Sequence, residues 1–460
     1  MPVMLLLLAA VSGPASSPVG RGACTAAVDC QLAGECTAGK CVCASPLPPA
    51  ARLSSHFVAA AADEPSERRA CAGDPGWAGA LCSQLDLEPL TEEPAAWNSE
   101  YSPRSSWGAA PFKAADGKFH GWFNQLPDQC GLSSWLPGSY IEHGIADHPL
   151  GPFKLAPGSG IAPKTPPPPG AKRNPLSQYA TNPHITYVAK EKTWLIYYNG
   201  REWAPNDLTK CAPNKTGIAP WHGGGSCAKD TDCPGFGYKT HHSQNPGKCI
   251  GGKCVCEHHS TGLHCTGITE TVNVASATSV DGPWTQLLPD GSPFWSGPGG
   301  GNDSLALSNP SAVALANGTI VLAYSRADPN GGTGISTAPH WKGPYTRLFL
   351  PTKVSSHAPL GRNFSLVRCG EDPFIYQDFR GTWRVLCHGG TEKAGWSTQF
   401  PDAKIETIGM AFSTDLIHWT AGPNPAATSL MTYANGTVRP FARRERPSLL
   451  LDEKGFPLVM

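Results

Sequence analysis

The sequence predicts an all-β fold: a five-bladed β-propeller whose last blade is incomplete, joined to small disulfide-rich modules. Three observations carry this. The 460 residues hold 51 glycines and 46 prolines around many short apolar runs. A hairpin pattern recurs five times: X-Pro, an apolar β-rich run, a Gly/Asn/Asp turn and an apolar return. A second, outer-strand pattern trails the first in four places, which makes a four-stranded unit of about 65–75 residues once one insertion is discounted.

In chain order, residues 1–20 read as a signal peptide, with a short apolar run at Val3–Val11 that ends in small residues and lacks the usual n-region charge. Cysteines 24, 30, 36, 41, 43 and 82 mark a degenerate module over 24–82, whose Ala/Pro-rich insert at 44–70 leaves Cys71 odd. The propeller is expected over 100–460. Its first hairpin opens at Ala110-Pro111, turns at Asp116-Gly117 and returns through Phe119–Phe123. A Pro-rich stiff loop around Pro166–Pro169 leads to the second, Asn182-Pro183 with the return Trp194–Tyr198.

A cysteine-rich module at 223–266 then interrupts blade two. The third hairpin opens at Asn309-Pro310 and turns at Asn317-Gly318; the fourth runs from Glu371-Asp372-Pro373 to Cys387. The fifth opens at Arg446-Pro447, and the sequence stops at Met460 within it, so a closed propeller would need further residues. Proline suits the first residue of a strand, where no ladder donor is needed. The trailing pattern reads Asp147–Phe153, Ser279–Trp284, His340–Tyr345 and Asp415–Trp419.

Lys+Arg and Asp+Glu are equal at 36 each, which gives no support for nucleic-acid binding. No segment reaches transmembrane length. Seventeen cysteines and five sequons, at Asn214, Asn302, Asn317, Asn363 and Asn435, point to an oxidising, secreted or secretory-pathway location.

In the inserted module, Cys227, Cys233, Cys249, Cys254, Cys256 and Cys265 end in a C-x-C…G-x-x-C signature that resembles an EGF-like domain. Six cysteines allow fifteen pairings. The resemblance implies 227–249, 233–254 and 256–265, and by analogy 24–36, 30–41 and 43–82. His241-His242, His258-His259 and His264 lie in this region without a ligand pattern, so no metal and no cofactor is expected. Cys369 and Cys387 could cross-link the fourth hairpin or be buried thiols.

Inner strands of a propeller start around one channel mouth, so residues beside the five openings should face one another: Trp107/Ala110, Asn182, Asn309, Glu371/Asp372 and Arg444/Glu445. Glycoside cleavage needs one carboxylic acid to protonate the leaving oxygen and a second carboxylate to activate water or attack carbon. Asp372 and Glu445 could supply that pair, with Asn182, Asn309, Trp107 and Arg444 as substrate-binding candidates. Each has a plainer role open to it: Asp372 as a strand cap, Glu445 as a partner of Arg443, Arg444 or Arg446, and the asparagines as holders of loop geometry. Trp107 and Trp135, in loops, are candidate stacking platforms, whereas Trp122, Trp194 and Trp383 sit in return strands and read as core.

The Asp-Pro and Glu-x-Pro openings and the outer Gly-Pro-Trp/Tyr strands resemble the five-bladed glycoside hydrolases of family 43 and its relatives, the arabinanases, β-xylosidases and fructan-acting enzymes. The resemblance implies an inverting mechanism with an aspartate base, a pKa-tuning aspartate and a glutamate acid. Glu445 then matches the acid and Asp372 the base or the tuning aspartate. Blade one departs from the pattern, because Trp107–Pro111 offers no carboxylate. The expected function is secreted hydrolysis of arabinan- or xylan-type glycans. The alternative is a non-catalytic extracellular propeller that binds glycan or protein.

Overall fold

The computed structural model describes residues 34–37, 40–43, 77–78, 84–85, 87, 89, 105–126, 139–156, 160–161, 180–200, 223–233, 247–256, 260–261, 267–268, 271–286, 307–326, 333–348, 371–378, 380–393, 404–422, 425–441, 443–452, 455 and 457–460. In chain order the N-terminal strands are β1 (Gly34–Thr37), β2 (Lys40–Cys43), β3 (Trp77–Ala78) and β4 (Gln84–Leu85). Blade one is β5 (Ser105–Lys113), β6 (Phe119–Leu126), β7 (Tyr140–Ala146) and β8 (Lys154–Leu155), hydrogen-bonded in that order. Blade two starts with β9 (Ala180–Val188) and β10 (Thr193–Gly200). It is then interrupted by β11 (Gly223–Ser226), β12 (Gly247–Ile250), β13 (Lys253–Cys256), β14 (Ser260–Thr261) and β15 (Gly267–Ile268), and completed by β16 (Thr271–Ala277) and β17 (Thr285–Gln286).

Blade three is β18 (Leu307–Ala314), β19 (Ile320–Arg326), β20 (Thr333–Ala338) and β21 (Thr346–Leu348). Blade four is β22 (Glu371–Gln377), β23 (Trp383–Lys393), β24 (Lys404–Ser413) and β25 (Thr420–Ala421), with β26 (Ala427–Thr428) also on β24. Two hairpins follow: β27 (Leu430–Thr432) with β28 (Val438–Pro440), and β29 (Leu450–Leu451) with β30 (Pro457–Val459). Four blade sheets are therefore present among the described residues. Where the sequence predicts a fifth, the described residues form the single hairpin β29–β30.

The chain divides into two compact units. One holds residues 1–7, 95–352 and 370–375; the other holds 8–94, 353–369 and 376–460. In the first unit the blades pack face to face through period-2 strands. On β10, Leu195 and Tyr197 join blade three in a core with Leu322, Tyr324 and Trp341. The alternating Ile196 and Tyr198 join blade one in a core with Ala110, Trp122 and Ile141. A strand apolar on both faces is what a sheet sandwiched between two others requires.

Each inner hairpin is closed by its own turn chemistry. Gly117, Gly318 and Gly381 take φ of 83°, 89° and 77°, and each N–H bonds back three residues, to the carbonyls of Ala114, Leu315 and Asp378. Asp116, Asn317 and Asp378 place a side-chain oxygen on the N–H two residues ahead, at 2.9–3.0 Å. Blade two uses a 3-10 turn at 189–191 with Lys192 at φ 52°. The outer Gly-Pro pairs at 151–152, 282–283 and 343–344 are cis.

Every inner strand opens with a left-handed residue: Gly108, Asn182, Asn309, Asp372 and Arg446, at φ of 64°, 58°, 55°, 53° and 55°. In blades one to three it forms a bulge, opposite Phe123–Asn124, Tyr198 and Tyr324. This corrects the blade-one register. The opening is Gly108-Ala109, two residues before the expected Ala110-Pro111, because Trp107 pairs Asn124 as Thr181 pairs Asn199 and Ser308 pairs Ser325.

In the second unit, Arg384 is fully buried and paired with Asp378 at 2.8 Å, with its guanidinium 5.2 Å over Trp77. In the inserted module, Cys227–Cys249 and Cys233–Cys254 are disulfides, as the resemblance implied. The other four implied pairs rest on side chains outside the described residues, as do the signal segment, Trp135 and sequons Asn214, Asn302 and Asn363. The remaining sequons, Asn317 and Asn435, sit on exposed turns. Cys41 faces Cys36 across β1–β2 as Cys254 faces Cys249 across β12–β13, so both modules build one hairpin from Lys-Cys-Val-Cys. Cys387 is disulfide-bonded, which removes the buried-thiol alternative. Among the described residues no helix is long and apolar enough to cross a membrane.

Candidate functional site

In the first unit the strand openings of blades two to four are tied by a buried polar network. The Asn309 side-chain oxygen accepts from Nδ2 of Asn182 and, at 3.0 Å, from Nδ2 of Asn199. Its own Nδ2 donates to Ser325 Oγ at 3.2 Å. Two bonds repeat from blade to blade: Asn199 Oδ1 accepts the N–H of Asn309 at 2.7 Å, and Ser325 Oγ accepts the N–H of Asp372 at 2.9 Å. A return-strand side chain of one blade thus caps the left-handed residue opening the next. Asn and Asp tolerate that backbone region better than other non-glycine residues, which explains their choice here.

Asn182, Asn309 and Asp372 are all buried. Asn182 and Asn309 spend their amides on each other and on neighbouring blades, which is the loop-holding role left open by the sequence. On the same strand as Asn182, His184 Nε2 donates to the Ala312 carbonyl at 2.9 Å, and the ring lies beside Phe374. Trp107 is half-buried next to Gly108.

The second unit holds Glu445. Its carboxylate accepts from Arg443 Nη1 at 2.8 Å, and the Glu445 side chain is only 14% exposed. His388 and Glu406 join it: one ligating atom from each of the three residues lies within 4.8 Å of the others. His388 Nε2 and Glu406 are directly hydrogen-bonded. Ser429 Oγ accepts the N–H of Glu406 at 3.0 Å and fixes its strand. Arg444 gives Nη1 to the Thr428 carbonyl at 2.6 Å, and burial lowers its pKa to about 10. Its Nη2 is buried with no hydrogen-bond partner.

His388 and Glu406 were missed by the sequence reading, yet one signal marked His388. Counting seven residues from the turn positions Gly117, Lys192, Gly318 and Gly381 reaches Asn124, Asn199, Ser325 and His388. The position that caps the next opening in blades two and three carries an imidazole in blade four. Glu406 is brought beside it by a bulge between His388 and Gly390 in the β23–β24 ladder, which no spacing rule reveals.

No family model matches the sequence, and no curated protein matches it. Solved structures do share likeness with the chain. A family 117 glycoside hydrolase of the marine bacterium Zobellia galactanivorans is 13% identical over 81% of this chain and 80% of its own, with a TM-score of 0.43. A thermostable family-43 glycoside hydrolase is 12% identical over 77% and 82%, at 0.37. The catalytic domain of the GH62 alpha-L-arabinofuranosidase of Coprinopsis cinerea is 13% identical over 80% and 84%, at 0.37.

Proposed function

We propose that the chain is a secreted glycoside hydrolase acting on arabinan- or xylan-type glycans by inversion. In this reading β29–β30 begins a fifth blade, and the two cysteine modules are EGF-like. The observation that carries the proposal is the convergence of Glu445, Glu406 and His388, three proton-carrying groups at partly buried positions of one unit. A buried trio of this kind is costly unless it is used or fully paired.

Geometry divides the roles. An inverting pair needs about 6.5–9.5 Å between carboxyl groups to admit the attacking water. Glu406 and Glu445, with ligating oxygens within 4.8 Å, are too close for that. Glu445 is therefore the proposed acid, giving its proton to the leaving oxygen as the C–O bond breaks. Glu406 and His388 hold and reload it. The base that takes a proton from water as oxygen bonds the anomeric carbon must then be a separate carboxylate. A second reading, glycan binding without cleavage, draws on the Arg443–Glu445 ion pair, since a guanidinium stabilises the carboxylate form that an acid must leave.

The test is sugar release from arabinan, xylan, fructan and galactan oligosaccharides by wild type, Glu445→Gln and Glu406→Gln, with folding checked by circular dichroism. Release by wild type and its loss of 100-fold or more, on the order expected for a missing acid, in Glu445→Gln supports the enzyme. A well-folded wild type that binds glycans and releases nothing replaces it with the binding reading.

A further inference from the structure

A second cluster, in the first unit and apart from the carboxylates above, has no part in that proposal. His120 Nδ1 and His143 Nε2 lie 2.8 Å apart, and Asp281 Oδ1 is 3.9 Å from His120 Nδ1. All three donor atoms lie within 4.8 Å of one another. They come from β6, β7 and the outer turn of blade two. The histidines are 2% and 0% exposed, and the His143 ring stacks on Trp122 at 4.5 Å with planes 2° apart.

The repeat shows how unusual this is. Three residues after the turn position stands His120 in blade one; blades two, three and four have Leu195, Val321 and Arg384. His143 pairs Trp122 across the ladder, and the equivalent partners are Val274, Ile335 and Met410. Blades two and three fill both positions with apolar side chains. Blade four fills them with Met410 and an arginine whose charge Asp378 meets. Only blade one, among the described blades, places two imidazoles there, and the turn facing them is the one outer turn of the three Gly-Pro turns with an acid before its glycine: Asp281, against Leu150 and Lys342.

Burying two imidazoles where aliphatics suffice costs free energy, because His120 Nε2 is buried with no hydrogen-bond partner. Burial also keeps both rings neutral, so each retains one lone pair, and a bound cation would replace the hydrogen bond between the two rings. Asp281 is 60% exposed, which leaves a path to solvent and an open position for water. Asp116 acts on His120 from its own hairpin, and the nearby Lys118 is occupied by Asp147.

We propose that His120, His143 and Asp281 form a binding site for a first-row divalent cation of the zinc type, a clip between blades one and two. Two imidazoles and one carboxylate are the donor set such ions take, with a fourth position for water. Tetrahedral ligation at about 2.0–2.1 Å sets two nitrogens about 3.3 Å apart, so the pair opens by about 0.5 Å on binding.

The experiment uses the full chain, stripped with a chelator and titrated with Zn²⁺. Bound metal is read by elemental analysis after gel filtration, and thermal stability is read in parallel. Wild type is expected to retain one Zn²⁺ per chain, with a melting temperature that rises with Zn²⁺ concentration. The double variant His120→Leu/His143→Val borrows the side chains of blade two and should lose both responses. Asp281→Asn, at an exposed turn and safe for folding, should weaken binding at least 10-fold. A folded wild type that retains no zinc, or zinc retained equally by Asp281→Asn and the double variant, overturns the proposal. Neither result bears on Glu445.

Discussion

Replacing Asn309 by alanine tests whether the strand openings are held by the amide network or reserved for sugar. The substitution deletes the oxygen that accepts from Asn182 and Asn199 and the amide that reaches Ser325. Ser325 Oγ keeps the Asp372 N–H, so it is not left without a partner. The two asparagine donors are buried and lose this acceptor. Each costs about 1–3 kcal/mol, and the lower half of that range applies if a neighbour relaxes toward them.

Alanine at φ 55° adds about 1–2 kcal/mol of left-handed strain. With the lower half of the range for each donor, the expected loss is about 3–6 kcal/mol, read as a shift in urea midpoint with unchanged slope. Asn309→Gly removes the same hydrogen bonds without the strain and should fall about 1 kcal/mol short of that loss. Stability within about 0.5 kcal/mol of wild type in both variants, with altered binding of a glycan, would refute the structural role and return Asn309 to the substrate.

Three further outcomes follow from the packing. Gly334→Ala should cost about 1–3 kcal/mol by denaturant melt, because a Cβ there meets the Tyr324 ring at 2.3 Å and that ring is buried and bonded to Ser336. Arg384→Ala should cost about 3–5 kcal/mol by the same melt, since it leaves Asp378 buried without its cation and uncovers Trp77. The His143 imidazole is held down at about 3 against its ordinary 6.5, chiefly by burial, with the His120 ring adding to it. The unfolded chain takes up that proton first, so the stability this group confers is present above pH 6.5 and is lost as pH falls from about 6.5 toward 3. His120→Leu/His143→Val should flatten that part of a stability–pH profile, and an unchanged slope would show that these rings do not govern it.

Much of the fold was legible because its signals are local. X-Pro, the apolar run and the Gly/Asn/Asp turn each act within about ten residues, so the hairpins and their order could be read directly. The blade-one opening was misread because proline was taken as the marker. The quantity that repeats is the left-handed backbone, and in blade one glycine supplies it without a following proline. The site was less legible. Glu445 and Asp372 stand beside prolines and were legible as candidates; Glu406 and His388 meet through a bulge and a ladder register, which sequence spacing does not encode. His120 and His143 were overlooked for the same reason, being 23 residues apart on neighbouring strands.

The repeat itself supplies the strongest guide to where chemistry sits. A position that the fold needs is filled alike in each blade: a left-handed residue at the opening, a small polar cap seven residues after the turn, aliphatics on the packed faces. Departures then stand out against that background without any comparison to other chains. Arg384 aside, whose charge is met by Asp378 of its own hairpin, blade one departs with His120 and His143 at aliphatic positions, and blade four departs with His388 at the cap. In both cases the replacement is an imidazole that meets a carboxylate from another segment, Asp281 in one unit and Glu406 in the other. Burying an imidazole beside an acid does nothing for a β-sheet that Leu or Ser does not do at lower cost. The two departures are therefore the places proposed here for chemistry, and the zinc titration and the sugar-release panel address them separately.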